Sequence, residues 1–212
     1  MIITKIQRIR GRTPRYSIHL DGTPSLEISD WTIGKFGIRT GDEIDDATID
    51  KIKSTEAETQ AKNIAINFIS YRPRSSKEVA VHLIKKGFAH GIADKVVNHL
   101  LELKLIDDTK FAEIFIRDRI KRKLIGAGLL RQQLAVKGIS NKIIDRVIDD
   151  YISPKEQQNT AVQLAKKKML SLKHSAKTNE DKRNKRIVDF LIRRGFSYET
   201  ALKAVQSVLN KQ

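Results

Sequence analysis

The 212-residue sequence has no cysteine, which excludes disulfide scaffolds, thiolate zinc sites and a cysteine nucleophile together. Aromatic residues make up only 6% of the chain, with a single tryptophan, and there are 4 prolines. No apolar run approaches the roughly 20 residues that span a bilayer. The opening Met1-Ile2-Ile3-Thr4-Lys5 is too short to hold the apolar core of a signal peptide. A soluble cytoplasmic protein without membrane contact is expected. Catalytic signatures are missing too. The histidines His19, His82, His90, His99 and His174 form neither an i,i+4 pair nor an HExxH motif. No GxxxxGK[ST] loop is present to cradle phosphates, and no GxGxxG follows a strand. These absences point away from an enzyme and from a bound cofactor or metal.

What is present is positive charge. The formal net charge is +16, from 41 Lys and Arg against 25 Asp and Glu. Residues 1–60 hold 9 basic and 10 acidic side chains, residues 61–153 hold 18 and 10, and residues 154–212 hold 14 and 5. All of the excess lies C-terminal to residue 60. Such an excess attracts a polyanion, either nucleic acid or a protein with an acidic surface. With 40% hydrophobic residues the chain can also bury a core.

Residues 1–50 read as a small β-rich module. Ile2 to Ile9 is rich in β-branched residues, Arg15 to Leu20 alternates through Tyr16, Ile18 and Leu20, and Leu26 and Ile28 mark a third strand. Gly11-Arg12-Thr13-Pro14 and Asp21-Gly22-Thr23-Pro24 are turn chemistry. Ile33 to Ile38 and Gly41 to Ile44 close the module as a compact, glycine-punctuated finish. From residue 50 onward the 3.6-residue apolar period takes over, with Ala61, Ile64, Ala65 and Phe68 on one face of a helix that ends near Tyr71-Arg72-Pro73. Ser75-Ser76-Lys77-Glu78 and Ser153-Pro154-Lys155-Glu156 each restart a helix with a capping box.

An internal repeat organises the rest. Leu83-Ile84-Lys85-Lys86-Gly87-Phe88, Leu134-Ala135-Val136-Lys137-Gly138-Ile139 and Leu191-Ile192-Arg193-Arg194-Gly195-Phe196 share one pattern, with glycines 51 and 57 residues apart. Glycine suits the left-handed position just past a helix end, and the next apolar residue folds back onto the last turn. Val79, Leu130 and Ile187 lie eight residues before each glycine, on the same face as the leucine. Val96-Val97, Val147-Ile148 and Ala204-Val205 follow nine and ten residues after it, on another helix. The fold expected is mainly α: tandem three-helix units over 57–106, 107–152 and 153–212, forming an elongated array behind the β-rich module of 1–50.

The basic clusters are the candidate binding face. Arg117, Arg119, Lys121, Arg122 and Lys123 place five positive charges within Ile116–Lys123, where Ile116, Ile120 and Leu124 form the apolar stripe. Lys85-Lys86, Lys137 and Arg193-Arg194 precede the three glycines, and regular repetition aligns them along one surface. Arg72, Arg74 and Arg131 complete the set, and Lys166-Lys167-Lys168 with Lys182-Arg183-Asn184-Lys185-Arg186 add further density. Gly126-Ala127-Gly128 reads as a tight turn between helices. Asp107-Asp108 precedes the helix that starts at Thr109 and reads as a cap, because carboxylates favour a helix N-terminus.

Tyr71-Arg72-Pro73-Arg74-Ser75-Ser76-Lys77-Glu78-Val79, Leu83 with Lys86-Gly87, and Leu105-Ile106-Asp107-Asp108 with Phe111-Ala112 closely resemble the RecX regulatory proteins of bacteria. Gly128-Leu129-Leu130-Arg131-Gln132-Gln133-Leu134 with Lys137-Gly138-Ile139 resembles the second repeat of that family, which often has proline where this chain has Leu129. The β-rich leader is similar to the N-terminal extension of longer members. The resemblance implies three tandem three-helix repeats, no enzyme activity and no catalytic residues. It also implies binding of the RecA recombinase in the groove of the RecA–ssDNA filament, with restraint of its ATPase and strand exchange, and direct contact of the basic face with ssDNA or dsDNA. A monomer is expected. Two other readings stand beside it: a stand-alone architectural or transcriptional DNA-binding protein, and an enzyme with a dispersed acidic site around Asp107, Asp108 and Asp149-Asp150.

Overall fold

The computed structural model describes residues 1–11, 14–122, 124–173 and 180–210, without the side chains of Arg122 and Lys173. The chain divides into two compact units, Met1–Arg72 with Val79–Leu103, and Pro73–Glu78 with Lys104–Gln212.

In the first unit, β1 (Ile3–Ile9), β2 (Arg15–Leu20) and β3 (Thr23–Ser29) form an antiparallel meander in the order β1-β2-β3. Asp21 and Gly22, at φ 47° and 87°, make the two-residue connection between β2 and β3. Both central residues have positive φ, the geometry that matches the twist of the flanking strands. Pro24 is tolerated because β3 is an edge strand. One face of the sheet buries Ile3, Ile18, Leu20, Leu26 and Ile28.

The stretch from Ile33 that starts the compact finish is helical. It belongs to a helix, α1 (Asp30–Phe36), which Ser29 caps by accepting the Thr32 amide and Gly37 ends at φ 62°. The helix after it, α2 (Asp46–Ser70), begins earlier than its apolar period suggests because Asp45 caps it by accepting the Thr48 amide. Ile49 and Ile52 at its start pack with the sheet. Ala61 and Ala65 are buried further along. One continuous helix therefore runs from the β-rich module into the first repeat, through residues 50–57.

Glu56 fastens this junction. It is 5% exposed, and its carboxylate accepts the Ser29 amide at 2.9 Å, the Ser29 hydroxyl at 2.9 Å, the Thr32 hydroxyl at 2.7 Å and the Gln60 side chain at 3.0 Å. Burial pushes its pKa up, but the hydrogen bonds from Gln60, Ser29 and Thr32 outweigh that and leave it below the ordinary glutamate value.

The remaining helices are α3 (Ser76–Lys85), α4 (His90–Glu102), α5 (Asp108–Arg122), α6 (Ala127–Val136), α7 (Asn141–Tyr151), α8 (Pro154–Lys173), α9 (Glu180–Arg193) and α10 (Tyr198–Leu209). Together with α2 they group in threes. The first and third helix of each group pack together: α2 with α4, α5 with α7, and α8 with α10. The apolar positions read from the helices of the repeat point inward. Val79, Leu83, Leu130, Leu134, Ile187 and Leu191 are fully buried. In the second repeat the core gathers Phe111, Ile116, Leu130, Leu134, Ile144 and Val147, and in the third Leu164, Met169, Ile187, Leu191, Phe196 and Val205.

Gly87, Gly138 and Gly195 have φ of 93°, 84° and 89°. At each turn the amide after the glycine reaches back to the leucine carbonyl, at 3.2, 3.1 and 3.2 Å for Phe88, Ile139 and Phe196. The glycine amide bonds the carbonyl three residues earlier. This double closure satisfies the last carbonyls of the helix and requires a left-handed residue at the glycine.

Candidate partner and nucleic-acid interface

The second unit shows how the repeats are joined. The Ser75 hydroxyl, fully buried, donates to the Lys137 carbonyl at 2.7 Å, and Lys137 Nζ pairs with Glu78 at 2.7 Å. Glu78 and Ser75 at the same time cap α3 reciprocally, as the capping box requires. Asp107 caps α5 through the Thr109 and Lys110 amides. Asp108 is engaged differently: it accepts the Ser76 amide at 2.8 Å and the Ser76 hydroxyl at 2.6 Å, tying the start of α3 to the start of α5.

The second junction repeats the first. Gly126 and Gly128 are the positional equivalents of Ser75 and Lys77, and their amides donate to the Arg194 and Gly195 carbonyls, each at 2.8 Å. A Cβ on Gly128 would lie 2.9 Å from the Gly195 carbonyl oxygen, and one on Gly126 would overlap the Gly195 backbone. Gly126-Ala127-Gly128 is thus a place where two backbones meet, rather than merely a tight turn. In both junctions the start of one repeat's middle helix sits on the glycine turn of the next repeat.

The candidate basic residues fall into three groups. Lys121 and Arg193 are exposed, as are Lys85, Lys86 and Arg72 in the first unit. Arg117, Arg119 and Arg194 are held against aromatic rings: Arg117 lies 5.5 Å over Tyr151 and donates to its hydroxyl at 2.8 Å, Arg119 lies 5.0 Å over Phe115, and Arg194 lies 5.3 Å over Phe190. A ring fixes a cation without neutralising it, at about 0.5–1 kcal/mol for an exposed pair. Arg131 and Lys137 are instead paired with Asp145 and Glu78. Arg74 is half-buried. Lys123 and the side chain of Arg122 lie outside the described residues.

The rings are what sequence reasoning missed. Phe115, Tyr151 and Phe190 are half-buried, and Phe190 also carries Lys168 at 5.5 Å, so α8 and the end of α9 bring two cations to one ring. Phe115 lies four residues before Arg119, a spacing that could have flagged that pair. Tyr151 is 34 positions from Arg117, and no local signal connects them. Among the described residues no group of three or more His, Asp or Glu could hold a metal ion, and no helix is long and apolar enough to cross a membrane.

Tandem three-helix units joined helix start to glycine turn, with cations displayed on rings, define a helical-repeat protein. Family models agree with that class. The descriptions "RecX, first three-helix domain", "RecX, second three-helix domain" and "RecX, third three-helix domain" match residues 61–100, 107–148 and 155–205. The chain belongs to the RecX family. A regulatory protein RecX of Leuconostoc mesenteroides is 31% identical over 209 residues, 99% of this chain and 76% of that one. Another from Bacillus licheniformis is 30% identical over 204 residues, 96% and 76% of the two chains. The crystal structure of a regulatory protein RecX superposes with a TM-score of 0.77 at 25% identity, over 100% of this chain and 99% of the other.

Proposed function

We propose that this protein is a non-enzymatic, monomeric regulator of RecA recombinase. It binds the groove of the RecA–single-stranded DNA filament and slows ATP hydrolysis and strand exchange, and so modulates DNA repair and recombination in the cytoplasm. The observation that carries this reading is family membership along nearly the whole chain, among relatives named as regulatory proteins. The distribution of charge supports it. The excess of cations lies in the repeats, and Arg117, Arg119 and Arg194 rest on rings, where their charge stays available to phosphates or carboxylates.

Order of addition tests the reading. Substoichiometric protein added to preformed RecA filaments should suppress ATP hydrolysis, because one groove-seated copy spans several protomers. Replacing Lys85, Lys86, Arg117 and Lys121 by glutamine should reduce that suppression. If preformed filaments are unaffected and inhibition vanishes with excess DNA, the protein only masks DNA and acts as a stand-alone DNA-binding protein. If hydrolysis is unchanged at equimolar protein in every order of addition, the reading is wrong.

A further inference from the structure

The molecule uses one docking device twice and leaves a third copy of it open. The turns at Gly138 and Gly195 each receive the start of a helix, through the Lys137 and Arg194 carbonyls respectively. Contact is close at both. A Cβ on Gly138 would lie 2.5 Å from the Lys77 side chain, and one on Gly195 would overlap Leu129. The turn at Gly87 has a similar φ and the same closing hydrogen bonds, yet none of the described residues lies within 4 Å of the equivalent Cβ.

Its neighbours are more exposed than their equivalents in the other two turns. Lys86 is exposed where Lys137 and Arg194 are half-buried. Phe88 is half-buried where Ile139 and Phe196 are each 4% exposed. The Lys86 carbonyl, an exposed cation and a half-buried aromatic side chain therefore stand together at the C-terminal end of α3, beside open space at Gly87.

We propose that the Lys85–Phe88 turn is a docking site for the start of a helix on a partner protein. The internal junctions specify that helix. Its cap residue is small and donates to the Lys86 carbonyl, as Ser75 and Gly126 donate to theirs. Its third helical residue is a carboxylate that pairs with Lys86, as Glu78 pairs with Lys137 in the first junction, whereas the second junction has Leu129 at that position. A second copy of this chain is a poor occupant. Arg183, the positional equivalent of Ser75 and Gly126 in the third repeat, lies inside α9 and presents a large cation in place of a small cap. Identifying RecA as the partner rests on the function proposed above; the site itself does not.

Gly87→Asn separates this site from general charge attraction. Asparagine tolerates left-handed backbone, has open space here and changes no charge, but its side chain fills the place where a helix must dock. Two arms decide the matter, both with the full chain. In the first, amide NMR follows titration with a helical peptide carrying serine at its cap and glutamate at its third position. Saturable shifts confined to Lys85–Phe88, absent in Gly87→Asn, are expected. Lys86→Glu should lose that peptide and gain one with lysine at the third position. Shifts elsewhere, no shifts at millimolar peptide, or unchanged binding by Gly87→Asn overturns the proposal. In the second arm, Gly87→Asn should bind preformed RecA filaments about tenfold more weakly, the equivalent of one well-placed hydrogen bond, while its binding to bare single-stranded DNA stays as in the wild type and its thermal melt falls no further than that of Gly87→Ala, which carries the same left-handed strain. Equal filament binding overturns RecA as the occupant. If the wild type does not bind filaments at all, the recombinase reading fails and the peptide arm alone decides the turn. A concentration-dependent dimer lost in Gly87→Asn would make the occupant a second copy and overturn the partner assignment.

Discussion

Glu56 shows how a single carboxylate can organise a junction. Four hydrogen bonds from Ser29, Thr32 and Gln60 converge on it, and Arg15 approaches to 3.6 Å. Because those bonds favour the ionised form, its folded pKa lies below the ordinary value of 4.5. The unfolded chain therefore binds the proton more readily. The stabilisation is fully present above about 4.5 and is lost as the pH falls below that value through the lowered folded pKa. Urea unfolding of Glu56→Gln should show a loss of about 1–3 kcal/mol at neutral pH, since buried donors are left poorly paired. The difference from wild type should shrink as the pH falls below about 4.5 through the lowered folded pKa. The sequence contains no sign of this role. Glu56 sits in an ordinary helical stretch, and its donors Ser29 and Thr32 lie 27 and 24 positions away.

At the scale of elements, the three glycine turns are alike in backbone and unlike in surroundings, which ranks the cost of adding a methyl group. Gly87→Ala meets open space and should cost about 1–2 kcal/mol, the penalty for a left-handed residue with a Cβ. Gly138→Ala meets the Cβ of Lys77, which its own backbone holds in place, so its cost should exceed that of Gly87→Ala. Gly195→Ala meets the Leu129 backbone still more closely and should cost the most, about 2–5 kcal/mol once overpacking is added. Chemical denaturation of the three variants checks the order, and equal costs would contradict the junction geometry. The helices themselves were readable from the apolar period and their caps. The starts of α1 and α2 were not, because Ser29 and Asp45 cap helices whose first turns carry little apolar signal.

For the whole molecule, charge sets the expectation. Binding to single-stranded DNA should fall linearly in log affinity against log salt, and each phosphate contact removed by Arg117→Gln or Lys121→Gln should lower the slope by about 0.7. Similar loss on unrelated sequences would fit contact with phosphates, whereas strong sequence discrimination would favour a transcriptional role. The β-rich module bears on a separate measurement. The second and third repeats have their own cores, so a chain of residues 57–212 should retain their helical circular dichroism. That truncation also removes Ile49, Ile52 and Glu56 from α2, so the first repeat should melt separately and earlier than the others. A single transition at the wild-type temperature would show that the module contributes nothing to the repeat it adjoins.

The register of the repeats, their capping boxes and the left-handed glycines were determined by the sequence alone, because each rests on groups within a turn or two of one another, where spacing dictates which atoms can meet. Tertiary structure alone decided what those pieces do to each other. Lys137 and Lys86 hold the same place in the repeat, yet one is paired with Glu78 and the other stands exposed. Gly126 and Gly128 look like turn residues until the Gly195 turn is brought against them. Ser75 and Lys137 are 62 positions apart, and a contact of that span follows from how packed helices bring distant segments together, which no local pattern of residue types records.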